Sequence, residues 1–146
     1  MASKRPKPAA FTAFISHAKA DAKKARAIAE GLEARGFRCW IAPRDVKAGR
    51  TYGDEIIRGI ESAKVFILVL SKASNESAFV AREVERAVSK KKPLLAVRIA
   101  DVEPGPALEL FVASTQWIDA FPGRLAPSID RLAERSLLGK ADEQRV

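Results

Sequence analysis

Apolar runs and helical stripes alternate along this chain, and the alternation predicts repeated β-α units around a parallel sheet. "AFTAFIS" (10–16) reads as a first strand. In "DAKKARAIAEGLEARG" (21–36), Ala25, Ile28, Ala29 and Leu32 recur at helical spacing, with Asp21 placed to cap the helix and Gly36 to stop it. "FRCWIA" (37–42) follows as a second strand, closed by Pro43. After "PRDVKAGR", Thr51 and Asp54 stand three apart as a capping box for a helix carrying Ile56, Ile57 and Ile60. "VFILVL" (65–70) is apolar throughout, the mark of a central strand covered on both faces. A helix over 77–91 comes next, then "PLLAVRIA" (93–100) as a fourth strand and the broken segment "DVEPGP". A short helix over 106–112, an edge strand within "TQWIDAF" and a last helix over 124–138 complete the pattern.

Five strands alternating with five helices predict a flavodoxin-like doubly wound five-stranded parallel sheet, order 2-1-3-4-5, with helices on both faces. Ligands of such sheets bind beyond the carboxyl ends of the strands, where the strand order reverses. The places to search are therefore "SHAK" after strand 1, "SKASNES" after strand 3 and the loop after strand 2.

A chain of 146 residues, 47% hydrophobic, fits one domain, expected over 10–138 between flexible tails at 1–9 and 139–146. No apolar run approaches the roughly 20 residues of a membrane helix, and "MASKRPKPAA" lacks the apolar core of a secretory signal, so a soluble, cytoplasmic protein is expected. Cys39 is the only cysteine, which excludes an internal disulfide and a cysteine zinc cluster and suggests a buried structural thiol. The net charge of +8 raises nucleic acid as a ligand. The cations are scattered, however, over the tails, the first helix (Lys19, Lys23, Lys24, Arg26), the loop (Arg44, Lys47, Arg50) and "SKKK" (89–92), where lysines complement a helix C-terminus. Aromatic residues do not interleave with them as base-stacking platforms would, so nucleic acid is not expected as the direct ligand.

Missing residues exclude several chemistries. Neither GxGxxG nor GxxxxGK[ST] occurs, so both familiar glycine-rich phosphate cradles are absent. Strand 3 ends in "VLSKAS", without the aspartate a phosphorelay receiver needs. No HExxH occurs, and His17 is the only histidine, so a histidine metal site or a Ser-His-Asp triad has that one ring at most to draw on. A structural role and a place in a pocket wall both fit His17.

The helix "SAFVAREVERA" (77–87) carries two glutamates of different phase. At roughly 100° per residue, Val80, Val84, Ala87 and Val88 form a stripe that must face the sheet. Glu85 lies about 140° from Val80, toward water, whereas Glu83 falls only about 60° off the axis of the stripe. Partial desolvation there raises a carboxyl pKa, and Arg82 or a bound cation opposes the shift. An acid at the edge of a core, near a ligand-binding rim, marks a functional site; a structural ion pair produces the same pattern.

Across residues 10 to 120 the motifs resemble those of TIR domains, the Toll/interleukin receptor homology fold, especially bacterial members. "AFISHAKAD" resembles the family's opening strand and loop, and "GFRCWIAPRDVKAGRTYGDEI" its second strand, BB loop and following helix. "KVFILVLSKASNESAFVAREVERA" resembles its third strand with the motif written S-x-W-C-x-x-E-L. Phe79 stands for the usual tryptophan, Val80 for cysteine and Val84 for leucine, all apolar replacements.

The resemblance implies an NAD+ glycohydrolase, releasing nicotinamide and either ADP-ribose or a cyclic isomer, with Glu83 in the catalytic position. It implies substrate-binding positions at Ser16, His17, Lys19, Arg44, Asp45, Lys47, Arg50, Ser71 and Phe79, with NAD+ as substrate and no other cofactor or metal. It further implies self-association through the BB loop, a sensor partner or a sensor region outside this sequence, and a part in bacterial anti-phage defence. The alternative within the family is a non-catalytic scaffold, or a virulence factor, acting through TIR–TIR contacts.

Overall fold

A computed structural model describes residues 11–112 and 117–144; the predicted tail at 1–9, residue 10 of the first predicted strand, and residues 115 and 116 of the predicted edge strand lie outside these. The strands are β1 (Ala13–Ser16), β2 (Cys39–Ile41), β3 (Val65–Leu70), β4 (Leu94–Arg98) and β5 (Ile118–Asp119). The helices are α1 (Ala22–Ala34), α2 (Tyr52–Ser62), α3 (Lys72–Asn75), α4 (Ala78–Ser89), α5 (Pro106–Val112) and α6 (Leu125–Gln144), with a 3-10 turn at Lys19–Asp21. All pairings are parallel and the order is β2-β1-β3-β4-β5, as the pattern predicts. Ala13 sits opposite both Cys39 and Val65, so β1 lies between β2 and β3 and the order reverses at its side.

Alternation of side chains along each strand sends every second residue to the opposite face of the sheet. In β3, Val65, Ile67 and Val69 join one core with Ile28 and Leu32 of α1 and Leu132 of α6. Phe66, Leu68 and Leu70 join the other with Ile60 of α2, Val84 of α4 and Leu108 of α5. Each fully buried aliphatic or aromatic side chain stabilises by about 1.5–3 kcal/mol, which makes the wholly buried β3 the spine of the domain. On the second face, Phe14 stacks between Trp40 (ring centroids 5.0 Å apart) and Phe66 (5.4 Å). Gly59 lets α2 approach that stack, because a Cβ there would stand 2.8 Å from the Trp40 ring.

Several local expectations are corrected. Thr51 is the N-cap of α2, but its side chain makes no capping hydrogen bond and the box with Asp54 does not form. Asp21 precedes α1, yet its carboxylate accepts from Ser71 Oγ instead of capping the helix. "SKASNES" is no open loop: Ser71 and Ser74 form a reciprocal capping box around α3. Val88, assigned to the buried stripe, is 39% exposed at the end of α4, where the helix leaves the sheet. The last helix continues beyond the expected end at 138 to Gln144.

Candidate active site

The phase of α4 is set at its start, where Ser77 Oγ accepts from the backbone N–H of Val80 (3.1 Å). From that anchor Val80, Val84 and Ala87 turn wholly into the core, Glu85 faces solvent, and Glu83 is carried to the sheet edge with 7% of its surface exposed. There the carboxylate meets the carboxyl end of β1: Ser16 Oγ donates to Glu83 Oε1 at 2.6 Å. Among the described residues no cation lies within ion-pair distance of Glu83. Burial pushes its pKa up from 4.5 to about 7, and the Ser16 hydrogen bond, which favours the ionised form, opposes the shift. Arg82 is exposed and takes no part in that balance.

Glu83 forms part of the wall of an open cleft of about 450 Å³ at the switch point of the sheet. Of the residues singled out in the sequence, His17, Lys19 and Phe79 line the cleft beside it, and Ser16 reaches it through its hydrogen bond. His17 bridges two loops, with Nδ1 2.8 Å from the Ala18 carbonyl oxygen and Nε2 3.0 Å from that of Ala42. A neutral imidazole donates to one of these oxygens and an imidazolium to both, so the ring is a strut as well as a wall. Phe79 meets Tyr52 edge to face across the rim, 5.9 Å between centroids, and both rings are 46% exposed. Tyr52, Pro43 and Ser77 are lining residues that the sequence did not single out. For Ser77 a signal existed, an N-cap residue type just before the apolar stripe of α4; for Tyr52 it was the first position of a helix pointing at the same strand ends.

The remaining predicted positions are held elsewhere. Arg44 pairs with Glu33 (2.7 Å) and Asp45 (2.9 Å) and donates to the Cys39 carbonyl oxygen (3.0 Å). Asp45 also accepts from the Ile41 N–H (2.9 Å), and the Lys47 N–H donates to Glu55 Oε1 (3.0 Å). Arg50 lies 3.9 Å from the same glutamate. Ser71 is occupied by its capping box and by Asp21. None of these five lines the Glu83 cleft; the side chains of Arg44, Asp45, Arg50 and Ser71 find partners within the scaffold, and Lys47 is held there through its backbone N–H. Among the described residues no cluster of three metal-ligating side chains exists, and no helix is long and apolar enough to cross a membrane.

The arrangement is therefore a single desolvated carboxylate, oriented by a hydroxyl, in a cleft with a half-exposed aromatic rim. A family profile described as TIR domain matches residues 13–134. The chain is 40% identical over 82 residues to a stimulator of interferon genes protein from Magallana gigas, a match covering 56% of this chain and 20% of that one. Among solved structures it resembles the TIR domain of the Toll-related receptor TRR-2 from Hydra magnipapillata, with TM-score 0.72 and 17% identity over 86% of this chain and 96% of that one. It also resembles a TIR-STING receptor from C. gigas, with TM-score 0.63 and 28% identity over 88% of this chain and 43% of that one. Both structures are of metazoan proteins and carry the domain assignment without the bacterial subgroup. This chain spans 20% of the length of the curated relative, and with the family profile matched over residues 13–134 it belongs to the TIR domain family.

Proposed function

We propose that this domain cleaves NAD+ at the nicotinamide–ribose bond, and the observation that carries the proposal is Glu83, buried, unpaired with any cation and open to the cleft. The chemistry suits one carboxylate. Nicotinamide bound through its ring nitrogen is cationic; when the C–N bond breaks, the electron pair returns to that nitrogen and the ring leaves neutral, without a general acid. The positive charge moves to the ribose, whose oxocarbenium character resembles that met in glycoside hydrolysis. An anion fixed beside the ribose acts where this charge develops. Water then bonds to the anomeric carbon and loses one proton, giving ADP-ribose; capture by an internal nucleophile of the dinucleotide gives a cyclic isomer and the same proton. A carboxylate titrating near 7 accepts that proton at neutral pH. The exposed faces of Phe79 and Tyr52 offer the cationic ring a cation–π contact.

By the same reading, contact between copies through the BB loop closes the cleft and switches turnover on, a sensor partner or adjoining region supplies the trigger, and NAD+ loss serves anti-phage defence. Support comes from the loop itself, which is tied to the scaffold through Asp45 and the Lys47 N–H while none of Arg44, Asp45, Lys47 and Arg50 lines the cleft. The TIR-STING receptor from C. gigas has also been solved with 2',3'-cGAMP; that ligand belongs to the receptor and is not assigned to this domain.

The test is nicotinamide release from NAD+ by concentrated or artificially clustered protein. Release that disappears in Glu83→Ala and persists in Glu85→Ala supports the assignment. No release under any clustering condition, or equal release by Glu83→Ala, overturns it, and in that case persistent TIR–TIR association identifies a scaffold.

A further inference from the structure

We infer that the distal half of the dinucleotide, its pyrophosphate and second nucleoside, lies in a groove along α1 that adjoins the Glu83 cleft, with Lys19, Lys23 and Arg26 as its row of cations. The inference rests on the NAD+ reading above and adds where the rest of the substrate goes.

The cleft at Glu83 adjoins a second cavity of about 540 Å³, and the two share Ala22, Ala42 and Pro43 as lining. Ala22 and Ala42 have the smallest side chains that carry a Cβ, so the saddle between the cavities is built of two short side chains and the Pro43 ring. A single ligand pocket typically measures about 300–1,000 Å³; the cleft, about 450 Å³, offers room for the nicotinamide half, and the groove offers it for the other. Helical geometry explains what lines the groove. Ala25, Ile28, Ala29 and Leu32 take α1 into the core, which turns Lys23, Arg26, Ala27 and Glu30 onto one outward strip facing the end of β2.

Charge state separates this strip from the two arginines of the BB loop. Arg44 and Arg50 face carboxylates of Glu33, Asp45 and Glu55. The side chains of Lys19, Lys23 and Arg26 have no hydrogen-bond or ion-pair partner among the described residues. They follow one another at intervals of four and three positions, from the cleft into the groove. A pyrophosphate needs cations whose charge is not already neutralised, and charge-assisted hydrogen bonds to it are the strong ones. The amino end of α1, which begins at Ala22 on the saddle, adds the positive pole of its dipole to the same place. Beyond the cations, Ala27 and Ile41 supply apolar floor, and Glu30 an acceptor for ribose hydroxyls.

Nicotinamide mononucleotide carries the scissile bond without the distal nucleoside, so it separates the groove from the cleft. With clustered wild type, KM for NAD+ should be well below that for the mononucleotide. The charge reversal Lys23→Glu with Arg26→Glu should raise KM for NAD+ on the order of 10–100-fold with little change in kcat, so that the preference for NAD+ collapses. A wild type without preference, or a preference that survives the reversal, overturns the groove assignment. If clustered wild type cleaves neither substrate, the NAD+ reading fails, and calorimetric titration with ADP-ribose decides the groove alone. Binding that is lost in the charge-reversed protein retains it; no binding to wild type, or equal binding to both, overturns it.

Discussion

Two glutamates of this domain are almost equally buried, Glu83 on α4 with 7% of its surface exposed and Glu55 on α2 with 5%. Their surroundings differ in kind. Glu55 accepts the Lys47 N–H and faces Arg50, and so staples the loop after β2 to the helix that follows. Glu83 has one neutral hydroxyl, that of Ser16, and a cleft. Burial alone therefore does not mark a reacting group. What separates the two acids is whether the fold supplies the compensating donors itself or leaves them to something that arrives from outside.

The comparison breaks most sharply in activity. Glu83→Gln should lower NAD+ cleavage by a factor on the order of 10²–10³, as loss of a preorganised electrostatic group does, while Glu55→Gln should keep most of it; nicotinamide release measures both. Comparable losses would place both acids in the same role.

Stability should move the opposite way. The folded pKa of Glu83 is raised from 4.5 to about 7, so the folded state binds more protons than the unfolded chain between those values and loses stability as pH rises through them. Glu83→Gln removes that penalty: in denaturant titrations the variant should gain up to about 3 kcal/mol above pH 7, and the gain should fade toward pH 4.5. A pH-independent difference would contradict the desolvation account. Glu55→Ala should instead cost about 1–3 kcal/mol, since the Lys47 N–H loses its acceptor, and hydrogen exchange at that amide should quicken.

The smallest expected effect concerns Ser16. Its hydroxyl favours ionised Glu83, so Ser16→Ala should raise the carboxyl pKa further and move the acid limb of the pH–rate profile upward. The rate at pH 7 should fall by about 3–10-fold. A limb that moves down would show that the hydroxyl supports the protonated acid instead.

How much of this could be read along the chain depends on which forces are local. Helical phase separated Glu83 from Glu85 because 100° per residue fixes direction once the apolar stripe is found. "VFILVL" declared β3, and the Pro and Gly of "DVEPGP" marked where the Pro106–Val112 helix begins. Sequence could count the cations of the loop after β2 but not see Glu33 or Glu55 waiting for them across the fold, so Arg44 and Arg50 were placed at the substrate. Ser71 shows the converse: S-x-x-S is a local capping signal, and a position after a central strand gives the same residues the look of a ligand loop. Lys23 and Arg26 looked like ordinary solvated charge, because a groove between α1 and the end of β2 exists only after both are folded onto the sheet.

The uncompensated burial of Glu83 also bears on descent. A carboxylate that weakens the fold at neutral pH is one that drift removes first, since glutamine or an apolar residue at that place gives a sturdier domain. Lineages of this fold that have given up the reaction should therefore have lost the acid and gained thermal tolerance, while substitutions at Glu55 should be purged in both kinds of lineage alike.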